Sequence, residues 1–438
     1  MTSRQKKILF VIISIIIGFI VLSIFLRRQN PKPVSLEMWG VIDEPAVFTP
    51  LINSFQKNNP HISIHYIKKD PATYQNDLLK TFAANKAPDI FMLFGNWLPS
   101  YQGKIEPLNL KKDKDLNSLI ISQTFPQVVQ DDLVNNDFLL GIPLSIDTLA
   151  LYYNKDIFDY YNIALPPQTW DEVVKLIPKL RKTNTKGQIT RAAIALGTSN
   201  NIDWASDILS ELMMQLGSSM IDKTYQKVTF DEPVIQNDSK IIPGEEALKY
   251  FTQFANPKSS LYTWNNSFPI NSVSAFSQGK TAMMIGYNQA QNAIQKEAPG
   301  LRYGIATFPY LSGNEEKINY ARTMNLVVFN RSSHSKEAWQ FLKYLSQSNN
   351  SQYYFLQTKN PPARLDLISL AINDSQAGVF TSQILTSRDW YQIDSQEINT
   401  ILNDMIESVI LQNIPPGQAI STAASRIKLL WQQKLKNQ

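Results

Sequence analysis

"GIPLSIDTLALYYNKDIF", residues 141–158, is apolar over most of its length, with polar side chains at Ser145, Asp147 and Thr148 near its middle. A strand buried on both faces has no place for an unpaired carboxylate, because a buried charge without partners is costly. "FLLGIPL" and "LALYYN" read as two short strands with "SIDT" between them. A chain passing from one lobe to another crosses a gap at such a point. There Asp147 stays solvated and accepts hydrogen bonds from ligand hydroxyls or amines. An Asp that caps a turn is the plainer alternative.

The residues before this stretch set its context. "VSLEMW" alternates Val34, Leu36 and Met38 on one face, as a strand does. "EPAVFTPLINSFQKN" places Val47, Leu51, Ile52 and Phe55 at helical spacing. "HISIHYI" alternates again, "YQNDLLKTFAANK" is helical, and "APDIFMLF" reads as a buried strand. The order β-α-β-α-β implies a parallel sheet covered by helices, with ligands bound beyond the C-terminal ends of its strands. The first strand ends at Trp39, Asp43 and Glu44, the third at Asn96 and Trp97. Indole faces and polar groups at one sheet edge suit a pocket for a polar ligand, although either Trp serves equally well as helix packing. Further on, Thr169 and Glu172 have capping-box spacing, and Trp170 reads as packing. "SSHSKEAWQFLKYLSQ" directs Ala338, Phe341, Leu342 and Leu345 inward, with Ser333 or Ser335 as N-cap.

A chain of 438 residues exceeds one ordinary core, so two domains are expected. The absence of cysteine excludes disulfides and thiolate metal sites. His61 and His65 share a strand without a carboxylate to complete a metal set, so neither metal nor cofactor is expected. The net charge is +5, yet Arg4, Lys6, Lys7, Arg27, Arg28 and Lys32 all precede the first acid, Glu37. Removing those six cations leaves the body at −1, without the basic footprint of a nucleic-acid binder.

"ILFVIISIIIGFIVLSIFL", residues 8–26, contains no charge. As a helix it spans ~28 Å, close to a bilayer's hydrocarbon core. The run ends in "RRQNPKP", without a small-residue cleavage site or a Cys to lipidate, which predicts an uncleaved single-span anchor. Residues 1–33 are accordingly expected to be anchor and spacer.

From about residue 34 onward the chain resembles the extracellular solute-binding proteins of ABC importers, in their maltose-binding-like, sugar-type branch. The resemblance rests on "NKAPDIFML" with "KIEPL", "GIPLSIDTLALYYNKDIF", "PPQTWDEV", "AFSQGKTAMMIGY", "YGIATFPY" with "HSKEAWQFLKYL", and "NPPARLDL", in that order. It implies an α/β fold of two lobes around an interlobe cleft with hinge crossings, "YGIATFPY" being the second. Lobe 1 is then 34–145 plus 308–358 and lobe 2 is 146–307 plus 359–438. It places Asp147 at the hinge and implies ligand contacts from Trp39, Glu44, Asn96 and Trp97 on one side. Trp204, Trp264 and Tyr287 are the candidates on the other, with Arg322 and Arg364 as further choices. Each has an ordinary packing or surface alternative.

The implied function is that of a membrane-anchored receptor, a monomer with its body outside the cell. It hands a small polar solute, foremost a sugar or oligosaccharide, to ABC permease subunits. A sensor or adhesin on the same fold stays open. So does a membrane-bound glycosidase using Asp43, Glu44 and Asp147, although no nucleophile elbow, phosphate loop or zinc motif is present.

Overall fold

Alternation in "VSLEMWG" becomes the strand β1 (Val34–Gly40), which pairs in parallel with both β2 (Ile62–Lys68) and β3 (Ile90–Phe94). The computed structural model describes residues 10, 12–17, 31–222, 227–236, 239–313 and 317–436. The helix Pro45–Asn58 starts with Pro at its first turn, where a missing N–H costs nothing, and buries Phe48, Leu51, Ile52 and Phe55. The helix Trp170–Leu180 carries the full capping box. Thr169 Oγ1 accepts from Glu172 N at 3.2 Å, and Glu172 Oε2 accepts from Thr169 N at 3.3 Å. Helix Ser335–Leu345 buries Ala338, Phe341, Leu342 and Leu345, but its N-cap is His334, not Ser333 or Ser335. Ser332 Oγ accepts from His334 N at 3.1 Å, which tightens the preceding turn and moves the helix start.

Two hydrophobic cores form around two sheets. The first core draws on residues from Leu36 to Ile146 and from Ala321 to Ala363, plus Ile384. The second draws on Leu149 to Tyr320 and on Phe380 to Trp431. In the first sheet the strand Asn319–Val328 runs antiparallel to β3 on one side and to Gly141–Thr148 on the other. The second sheet orders Tyr303–Thr307, Ala150–Asn154, Thr281–Gly286, Ile189–Ala195 and Lys182–Thr183.

The chain crosses between the lobes at three places. The first is the opening stretch, which differs from its sequence reading: "SIDT" is strand, paired through Ile146, Asp147 and Thr148 with Thr323, Arg322 and Ala321. Those pairings satisfy the backbone groups that a loop would expose. Pro143, which has no N–H to give, sits where the register shifts between Met324 and Asn325. The return crossing lies at Asn319–Val328, beyond "YGIATFPY", because Tyr303–Thr307 stays paired within the second sheet. The third runs through Lys359–Phe380, where Pro361 O accepts from Ile146 N at 3.0 Å and Phe380 O from Thr148 Oγ1 at 3.1 Å.

Most of the expected anchor lies outside the described residues. Phe10 and residues 12–17 are helical, with exposed side chains wherever these are described. Among the described residues no helix is long and apolar enough to cross a membrane.

Candidate functional site

Beyond the C-terminal end of β3 the lobes enclose a cavity of about 650 Å³, well inside the ~300–1,000 Å³ range of small-molecule sites. The first lobe contributes Asn96, Asp131 and Asp132. The second contributes Ser218, and the seam segment Arg388–Gln392 closes it. Four lining residues each hold one buried polar atom that lacks a hydrogen-bond partner: Asn96 Oδ1, Ser218 Oγ, Trp390 Nε1 and Gln392 Oε1. Buried polar atoms are normally paired, and each orphan costs roughly 1–3 kcal/mol. Four such atoms fall in residues that line one cavity.

Two carboxyls share this cavity. Asp132 Oδ2 accepts from Thr323 Oγ1 at 2.8 Å. Burial pushes Asp132 up to about 7, with Asp131 adding to the rise. Asp389 is pushed well above the carboxylate range by burial and then by Asp132. Both lie against Gly95: a Cβ there would stand 2.5 Å from Asp132 Oδ2 and 3.3 Å from Asp389 Oδ2. Gly95 is therefore required by close approach, and Gly95→Ala is expected to displace Asp132 and Thr323. The check is a loss of about 1–3 kcal/mol in urea unfolding, and unchanged stability would show that the site relaxes freely.

Successive strand residues face opposite ways, so Arg322 points away from the Thr323 face. Its guanidinium carbon stands 4.7 Å from the Phe94 ring of the first lobe and 4.2 Å from the Tyr287 ring of the second. Tyr287 OH donates to Asp207 Oδ2 at 2.9 Å, and Trp204 meets the Tyr287 ring edge-on at 5.6 Å. Trp204 holds φ at +60°, a left-handed backbone that a bulky residue adopts at a cost of about 1–3 kcal/mol. Its indole sits over Gly286, where a Cβ would come within 2.9 Å of Cζ3. Asp147 Oδ1 accepts from the backbone N–H of Asn288 at 3.0 Å and of Thr148 at 2.9 Å. Desolvation lifts Asp147 to about 6, against those hydrogen bonds and the Arg322 charge.

Of the ten residues selected from sequence, Asn96 lines the cavity. Asp147, Trp204, Tyr287 and Arg322 gather in the cluster just described, and Trp97 packs against its Phe94 at 4.8 Å. The other four lie elsewhere. Trp39 Nε1 donates to Glu37 at 2.5 Å under Lys69, and Glu44 pairs with Lys68 at 2.6 Å. Trp264 is 0% exposed in the second core, stacked on Phe268 at 4.1 Å. Arg364 pairs with Asp366 at 2.9 Å and donates to Ser346 O at 2.6 Å. The three carboxylates of the glycosidase reading are separately engaged: Asp43 with Tyr354 OH at 2.8 Å, Glu44 with Lys68, Asp147 with two backbone N–H groups.

Sequence reasoning missed Asp132, Asp207, Ser218, Asp389, Trp390 and Gln392. "RDWYQ" at 388–392 was the one usable signal, an indole among polar groups just before the Asp394-capped helix Ser395–Leu411.

Raised carboxyls have a stability consequence. Asp43, Asp132 and Asp147 rise from 3.8 to about 6, 7 and 6, all mainly through burial. Their protonated forms are favoured in the fold, so their contribution is fully present below pH 3.8 and is lost as pH rises through about 6 to 7. The unliganded protein is expected to melt higher at pH 5 than at pH 8. Asp43→Asn is expected to remove about 1–1.5 kcal/mol of that difference, as read by calorimetry at both pH values. A pH-independent melting temperature would count against the buried-carboxyl account.

Comparisons with known proteins agree with this architecture. Galactooligosaccharide-binding protein of Bacillus subtilis (strain 168) is 22% identical over 407 residues, covering 92% of this chain and 90% of its own. An ABC substrate-binding protein of Listeria monocytogenes, solved in complex with cycloalternan, superposes with a TM-score of 0.74 at 17% identity, over 91% of this chain and 99% of that one. An ABC transporter solute-binding protein of Thermotoga lettingae, bound with α-D-tagatose, gives 0.70 at 21% identity, over 92% and 100%. The family model for bacterial extracellular solute-binding proteins matches residues 50–377, a family of binders and not of enzymes. With two α/β lobes, three crossings and a polar interlobe cavity, this chain belongs to the bacterial extracellular solute-binding proteins.

Proposed function

We propose that the protein is an extracellular receptor that captures a carbohydrate or oligosaccharide in the interlobe cavity and delivers it to an ABC permease. The observation that carries this reading is the set of four orphan polar atoms from both lobes at one cavity. Sugar hydroxyls both donate and accept, so they can satisfy acceptors such as Asn96 Oδ1 and donors such as Trp390 Nε1 together. The sugar ligands named for the Bacillus, Listeria and Thermotoga proteins support the same class. In this reading the protein acts as a monomer, tethered by residues 8–26, and lobe closure seals the solute from water.

The test is a thermal-shift and calorimetric screen of residues 34–438 against mono- and oligosaccharides. A ligand at 100-fold above its dissociation constant adds about 2.7 kcal/mol. With the sugar found, Asn96→Ala is expected to weaken binding by about 1–3 kcal/mol, since it strands the ligand group that Asn96 would meet. Unchanged affinity removes Asn96 from the site. For the tether, cells expressing the full chain should hold it in the membrane fraction until detergent is added. The form lacking residues 1–32 should be soluble and bind sugar equally well. Full-length protein in the soluble fraction would overturn the anchor.

A further inference from the structure

Three carboxyls, those of Asp131, Asp132 and Asp389, line the cavity. Asp132 and Asp389 both bear on Gly95, and Asp131 also lines the space. Asp131 acts on Asp132, and Asp132 and Asp207 act on Asp389, each disfavouring ionisation. Among the described residues Arg388 is the one basic group on the lining. Beside the carboxyls, Asn96 Oδ1 and Gln392 Oε1 are acceptors without a donor, in side chains only 9% and 3% exposed. Gln392 Nε2 donates to Tyr320 OH at 3.1 Å, while its Oε1 has no partner.

Two carboxylates in one low-dielectric site cannot both ionise without a counter-charge. A neutral hydroxyl supplies one donor and no charge, whereas an ammonium supplies three donors and one positive charge. Among the described residues no group of three side chains is arranged to hold a metal ion. An organic ammonium supplies both a counter-charge for an ionised carboxyl and donors for neighbouring acceptors.

We propose that this cavity selects amino sugars, seating the protonated amine between Asp132 and Asp389 with Asn96 Oδ1 and Gln392 Oε1 as further acceptors. The proposal rests on the carbohydrate reading of the same cavity and narrows it. Burial pushes Asp132 up to about 7 and Asp389 well above the carboxylate range, so an arriving ammonium displaces a proton from one of them.

The experiment is isothermal titration with matched pairs: D-glucosamine and D-glucose, D-galactosamine and D-galactose, and chitosan oligosaccharides against cello-oligosaccharides of equal length. At least one amino sugar should bind about tenfold or more tighter than its hydroxyl parent, as a charge-assisted contact replaces a neutral one. The ratio of the two affinities should fall to within about threefold in Asp132→Asn and Asp389→Asn. On the unmodified protein, titration at pH 6.5 in phosphate and in Tris should show about one proton released per amino sugar bound. Parent sugars binding as tightly as their amines, or amine binding without proton release, would overturn the proposal and leave the carbohydrate reading standing. No binding by either member of any pair would overturn both.

Discussion

Replacing Arg322 by alanine is expected to destabilise the protein by about 2–4 kcal/mol. The guanidinium is held between Phe94 and Tyr287, one ring from each lobe. Its charge also opposes the desolvation of Asp147 and Asp207. A desolvated cation over an aromatic face contributes about 2 kcal/mol, and here two faces and two carboxyls lose their partner together. Arg322→Lys is expected to recover little, because an ammonium lacks the planar face that stacks on both rings. Urea unfolding gives the free energy, and small-angle scattering reports whether the lobes separate. A loss below about 0.5 kcal/mol, the level of an ordinary surface substitution, would show that the sandwich is incidental.

Trp264→Ala is expected to cost about 3–5 kcal/mol while leaving sugar affinity within a few-fold of the parent protein. The indole is fully buried, stacks on Phe268 at an interplanar angle of 10°, and donates its N–H to Asn201 Oδ1 at 2.8 Å. Asn201 Nδ2 in turn reaches Asn265 O at 3.1 Å and Phe268 O at 3.2 Å, so one amide ties the indole to its own loop. Truncation opens a cavity and leaves Asn201 Oδ1 with one donor, Thr198 Oγ1 at 2.6 Å. Affinity lost at full stability would instead place Trp264 against the ligand. The two substitutions separate the functions of the aromatic residues: one tests the lobe interface, the other a single lobe's core.

These cases show how far residue type alone carries an assignment. Trp97 and Trp264 are both indoles followed by turn-forming residues, and sequence offered the same two roles for each. Burial distinguishes them, and burial depends on which distant elements pack around each ring. Asp147 was legible because a carboxylate within an apolar run demands a reason. Its environment was not legible: the Asn288 N–H that it accepts comes from a strand end 141 residues away. Asp132 and Asp389 gave no comparable signal. Asp132 ends an amphipathic helix beside a second Asp, and Asp389 lies in a polar segment, so each reads as solvated.

The sequence by itself determined the local elements and the class of fold. The two- and 3.6-residue periodicities, the Thr169–Glu172 capping box and the polar break in an apolar crossing act over short range, where backbone sterics and side-chain chemistry decide. It also determined the near-neutral body and the uncharged stretch at residues 8–26. The tertiary structure alone decided which polar groups meet. Asn96, Ser218 and Gln392 come from segments separated by more than a hundred residues, and the return strand Asn319–Val328 sits inside the first sheet between strands distant in sequence. A cavity is made by what fails to fill a space, and the orphan atoms on its wall are defined by partners that packing has withheld. No pattern along one chain encodes that directly, because the desolvation that makes Asp132 and Asp389 distinctive is supplied by both lobes at once.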